Sequence, residues 1–271
     1  MLAVLFAMGV SAAEPTTRWV DPAAASSPPG TGCLTSAGYN TIQAAVNAAN
    51  PAGDTIRVCA GTYPEAGPLM INKTLTLLGA QAGVDARTRA GAESIVNDLQ
   101  GTSVSASGVV IDGFTVQNST VAAFTGFGIW LNPGVSGTQI VNNIIQDNIV
   151  GIGLANSGTS QAVIRHNLIR NNTKPGGASG SGIYTDEFVG GPTTRNVLIE
   201  ENAFIGHAGF GGAVNISNTD STGGVFDLDV SSNRFDMNSR AFVLFNTHTS
   251  TFDDNTITNS IRWERNHPHL R

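Results

Sequence analysis

IVNNIIQDN, residues 140–148, returns as IRHNLIRNN at residues 164–172. Both copies place an apolar residue, two spacers, an asparagine, one spacer and a second apolar residue in the same order. Three further copies follow, with Ile199, Asn202 and Phe204, then Val230, Asn233 and Phe235, then Phe252, Asn255 and Ile257. Starting at Asn143, successive asparagines lie 24, 35, 31 and 22 residues apart. A second polar turn residue follows five positions on, at Asn148, Asn172, His207 and Asn238. A constant unit with insertions of variable length is the mark of a solenoid, in which each coil buries its apolar side only against its neighbours.

Between these units lies a second short strand, often led by glycine. Its copies begin at Gly128, Gly151, Gly182, Ala213 and Ala241. Each reads with a period of two, so one side faces a core. The inward column is Ile129, Ile152, Ile183, Val214 and Phe242, and the chain returns to the core at Leu131, Leu154, Thr185, Ile216 and Leu244. Equivalent residues in stacked coils lie about 4.8 Å apart. An asparagine at each bend tolerates unusual backbone angles and can bond to the same amide in the next coil. Asn143, Asn167, Asn202, Asn233 and Asn255 are therefore read as structural.

A solenoid has open ends that expose strand edges and core. TIQAAVNAAN, residues 41–50, is the one amphipathic helical pattern, and it suits a plug for the first end. Ile42, Ala45, Val46 and Ala49 share a face, and Asn40-Thr41-Ile42-Gln43 has capping-box spacing. Pro51 and Gly53 stop the helix, expected over residues 41–49, and DTIRVCAG opens the first coil.

Together with INKTLTLLG at residues 71–79, this opening resembles the N-terminal cap and first coil of the pectin-lyase-like right-handed parallel β-helix superfamily. The later asparagine units are similar to its generic parallel β-helix repeats. The resemblance implies an all-β fold, a single-stranded right-handed parallel β-helix (solenoid) with a short N-terminal capping α-helix. It also implies contact with extracellular polysaccharide, but the superfamily spans lyases, hydrolases, esterases, epimerases and adhesins, so it fixes no chemistry. The Gln-Asp-Thr and Asp-Phe-Ile-Phe-Gly contexts of pectin methylesterases are absent. Asn218-Thr219-Asp220 and Asp253-Asp254 match parts of the polygalacturonase pattern, but no Gly-His-Gly or Arg-Ile-Lys follows, and Asp220 falls in a glycine-rich insertion. An enzyme on this scaffold would be a polysaccharide lyase or glycoside hydrolase; the alternative is a non-catalytic adhesion or structural surface module.

Composition agrees with a turn-rich β fold: 32 glycines and only 13% charged residues. The net charge of -6 argues against a nucleic-acid partner. The apolar start, MLAVLFAMGVSAA, reads as a signal peptide over residues 1–13 and is too short to span a membrane. It lacks the usual basic residue, which leaves open whether Met1 is the natural start. Residues 14–38 form an extension, 39–260 the β-helix, and 261–271 a tail or truncated cap. The expected location is secreted or cell-surface. Cys33 and Cys59 then form one disulfide, or remain two buried thiols.

The outward column of the glycine-led strands is Trp130, Gly153, Tyr184, Asn215 and Val243. Trp130 and Tyr184 project from one face about 9.6 Å apart with a glycine between them. Asp186 is the next outward residue after Tyr184, beside Glu187. These five residues, Trp130, Tyr184, Asp186, Glu187 and Asn215, are the candidate glycan-binding set, since aromatic rings stack on sugars; the alternative is that the rings pack beneath a loop. Among the Asn-centred copies, Arg165 should stand beside Glu200 and His166 beside Glu201. Glu201 and Asp254, two coils apart at about 10 Å, are the acid/base candidates with His166, though inverting carboxylate pairs stand roughly 6.5–9.5 Å apart. His207, His248, His267 and His269 show no ligand spacing, so no metal or cofactor is expected. The oligomeric state stays open.

Overall fold

The computed structural model describes residues 14–121, 126–209 and 211–260. The expected signal peptide and tail lie outside the described residues. The bend at each repeat asparagine separates two strands, as Gln139–Val141 and Ile144–Gln146 flank Asn143. A third strand, such as Val150–Gly153, completes the coil before the chain returns to the first sheet one level on. Repetition builds three sheets of nine, eight and seven strands, every named strand pairing in parallel. This is the parallel β-solenoid expected from the repeats, and the right-handed β-helix that the resemblance implies.

The registers align the apolar columns. Ile140, Ile164, Ile199 and Val230 stack in the first sheet. Ile145, Ile169, Phe204 and Phe235 stack in the second. Ile129, Ile152, Ile183, Val214 and Phe242 stack in the third, as read from the sequence. All are buried in one continuous core. At about 2 kcal/mol for a buried aliphatic side chain, these three positions contribute about 6 kcal/mol of burial to each coil. Phe204 and Phe235 stack face to face at 4.9 Å in the core of the later coils.

The asparagine ladder is continuous. The backbone N–H groups of Asn143, Asn167, Asn202 and Asn233 donate to the side-chain oxygen one coil on, at 2.8, 2.9, 2.9 and 3.0 Å. The strained angle does not fall where the sequence suggested. It lies on the residue before each ladder asparagine: Asn142, His166, Glu201, Ser232 and Asp254 have φ between 52° and 57°. That residue turns the chain outward, which frees the asparagine to point inward and bond along the axis. Gly113 holds the same place one coil earlier, with φ 81°, and Phe114 N–H donates to Asn143 at 2.9 Å. A second ladder lines the next bend through Asn148 and Asn172 at 3.1 Å and through His207 and Asn238 at 3.0 Å.

The cap helix spans Ile42–Ala48 and buries Ile42, Ala45 and Val46. Its N-cap is Thr41, whose hydroxyl accepts from Ala44 N–H, one residue later than the expected box. Gln43 turns instead to Asn47 and Met70. The carboxylate of Glu65, from the first coil, accepts the N–H groups of Ile42 and Gln43. At the other end Lys73 Nζ donates to the carbonyls of Val46, Asn47 and Ala49. Both charges suit the helix dipole. The segment before the helix is more than an extension: Thr17–Val20 adds a strand beside Ala52–Val58. The expected disulfide joins Cys33 and Cys59, with Cα atoms 5.8 Å apart.

Residues 79–93 leave the first sheet and lie along the bends of later coils. Arg89, with its side chain fully buried, pairs with Glu93 and donates to the carbonyls of Phe114 and Asn142. Ala86 N–H reaches the carbonyl of His166 at 3.1 Å. The insertion thus braces successive coils, a role that no sequence period announced.

Candidate functional site

The third sheet carries the expected outward column in register: Trp130, Gly153, Tyr184, Asn215, Val243. The two rings do not flank an open gap. A Cβ at Gly153 would lie 2.9 Å from the Trp130 ring and 3.1 Å from the Phe127 ring, so aromatic carbon already fills that space. Phe127, Ile149, Val150 and Val189 form a buried cluster outside the main core, against which Trp130, Ala178 and Tyr184 pack. Trp130 Nε1–H donates to the Val189 carbonyl at 3.2 Å. The glycine is needed because Phe127, which the alternation did not flag, leans over the strand.

Asp186 organises the neighbouring loop. One oxygen accepts the Tyr184 hydroxyl at 2.8 Å, and the other accepts the N–H groups of Phe188 and Val189 at 3.0 and 2.7 Å. Burial and this carboxylate push the Tyr184 phenol up, so it remains a donor to Asp186 across the working pH range. Glu187 is half-buried and accepts both the N–H and the hydroxyl of Thr219, at 2.9 and 2.7 Å, which holds its carboxyl low.

Beyond Tyr184 the surface opens into a cleft of about 390 Å³. Tyr184, Asn215 and Ser217 come from adjacent in-register strands, Ala178 and Ser179 from the insertion before the Tyr184 strand, and the remaining described lining residues are glycines. Asn215 is almost fully buried and fixed: its amide donates to Ser181 at 3.2 Å and accepts from Ser217 at 2.7 Å. Two of the five expected residues thus line the cleft, while Asp186 orients Tyr184 from behind. A second open groove, of about 540 Å³, lies beside the cap helix, with Gln43, Asn47, Glu65 and Met70 in its walls.

The acid/base candidates lie elsewhere, on the bend between the first and second sheets. His166 Nε2 meets Glu201 Oε2 at 2.8 Å, and Arg165 pairs with Glu200, as the coil spacing required. Asp254 occupies the same bend two coils beyond Glu201, with Ser232 between. Sequence reading missed Asp85 and Arg87, which the bracing insertion brings to this ridge; they pair at 2.6 Å. His166 and Glu201 are 33% and 44% exposed, so their pairing is worth below about 1 kcal/mol. The ridge and the cleft sit on different parts of the coil and share no residues. Among the described residues, the one compact group of metal-ligating types is Asp21 with the two disulfide cysteines.

The profile of the family described as a right handed beta helix region matches residues 91–262. The chain belongs to this right-handed β-helix family. Among solved structures it is similar to Escherichia coli YbhC at 14% identity, covering 96% of this chain and 88% of that one, with a TM-score of 0.47. It is similar to a carrot pectin methylesterase at 15% identity, 92% and 85% coverage and a TM-score of 0.41. A rice weevil pectin methyl esterase follows at 14% identity, 82% and 86% coverage and a TM-score of 0.40. These likenesses carry no argument for an activity here. No curated protein sequence matches the chain. Among the described residues no helix is long and apolar enough to cross a membrane.

Proposed function

We propose that this β-helix protein is secreted or cell-surface and binds extracellular polysaccharide in the cleft above Tyr184 and Asn215. The observation that carries the reading is the cleft itself: one partly buried aromatic ring beside amide and hydroxyl groups held by adjacent, in-register strands. A sugar ring packs on the phenol while its hydroxyls meet the fixed polar atoms. The disulfide fits an extracellular location. Among the described residues none that lines the cleft is charged, which favours binding over processing. Trp130 supports the site by holding the loop at Val189, and Asp186 by orienting Tyr184.

Glycan-array screening of wild type, Tyr184→Ala and Trp130→Ala tests this. Wild type should bind a defined set of glycans, Tyr184→Ala should lose them with its thermal transition kept, and Trp130→Ala should lose less. A wild type that binds no glycan, or a Tyr184→Ala protein that binds equally well, would overturn the proposal in favour of a non-catalytic adhesion or structural module.

A further inference from the structure

Among the described residues, the three hydroxyl groups that line the cleft have all committed their protons inward. Tyr184 donates to Asp186 at 2.8 Å, Ser217 to the Asn215 side-chain oxygen at 2.7 Å, and Ser179 to the Lys174 carbonyl at 2.7 Å. A hydroxyl whose single proton is used can offer an incoming ligand only lone pairs. The Asn215 amide spends one N–H on Ser181 and retains one. The three hydroxyls therefore present only acceptors, against one remaining side-chain N–H donor. A sugar hydroxyl can supply the missing proton. An ionised carboxylate cannot, because it is acceptor-only, and it would also face the Asp186 carboxylate behind Tyr184.

We infer that the cleft selects uncharged glycans, bound through donating hydroxyls, and rejects polyuronates. This rests on the glycan-binding reading and deepens it. A desolvated acceptor facing another acceptor is penalised twice, by the lost bond and by the unpaired groups, so one substituent can change affinity strongly.

The test uses a matched pair: a galacturonic-acid oligomer, and the same oligomer with its carboxylates chemically reduced to primary alcohols. The two differ at C6 alone. Calorimetry on the full chain should show the reduced oligomer binding at least tenfold more tightly. The protein's net charge of -6 would also repel a polyuronate at long range, so the comparison is repeated near 0.5 M salt, where the screening length falls to about 4 Å. The preference should persist there. Tyr184→Phe keeps the ring and deletes one acceptor, and should cut the preference at least threefold. Equal or tighter binding of the uronate at high salt, with Tyr184→Ala abolishing both, would overturn the selectivity while the cleft reading stands. Failure of every oligosaccharide to bind would overturn both.

Discussion

Replacing Asn202 by alanine should be among the most damaging single changes in the molecule. Asn202 is fully buried in the middle of the ladder. Its side-chain oxygen accepts Asn167 N–H at 2.9 Å, and its amide donates to the carbonyls of Ile164 and Glu200 at 2.8 and 2.9 Å. Alanine leaves the Asn167 N–H and the Ile164 carbonyl buried without these partners. At roughly 1–3 kcal/mol for each stranded group, the expected loss is about 4 kcal/mol. Asn47→Ala, on the exposed face of the cap helix, should stay within about 0.5 kcal/mol of wild type. Urea unfolding followed by circular dichroism, with both variants beside wild type, gives the comparison. An Asn202→Ala loss below about 1 kcal/mol would show that the ladder does not hold the coils together as argued.

His207 occupies an asparagine position of the second ladder, and burial pushes its pKa down to about 4. The unfolded chain takes up this proton near pH 6.5 while the folded chain resists, so stability should fall from about pH 6.5 down to about 4, by roughly 3 kcal/mol in all. His207→Asn should flatten that part of the curve in pH-dependent melting, and an unchanged curve would remove His207 as its cause. Arg89→Ala strands Glu93 and two backbone carbonyls beneath the bracing insertion, and should cost about 3 kcal/mol in the same denaturation assay. A loss under about 1 kcal/mol would mean that the insertion merely drapes over the coils.

What could be read from the sequence was whatever repeats. The asparagine spacing located the bends, and alternation from Ile183 placed Tyr184 outward and Thr185 inward, as found. The same alternation carried one step further would have found Ser217, two positions beyond Asn215. The bend angle was misplaced by one residue because an asparagine serves both a left-handed turn and an inward amide, and sequence alone does not separate the two. The insertions were opaque. Ser179, Val189, Asp85 and Arg87 reach their partners through paths with no period, so nothing in the chain announced the roof over Trp130 or the brace across the bends. Phe127 belongs with these: a local departure from alternation at the start of its strand turned it outward.

The most direct test of the account is amide chemical-shift mapping during titration with an uncharged oligosaccharide from the array. The account predicts perturbations confined to the cleft, at Ala178, Ser179, Tyr184, Gly211, Asn215 and Ser217, with the His166–Glu201 ridge silent. Shifts centred on the cap-helix groove around Gln43 and Glu65, or on the ridge, would contradict it.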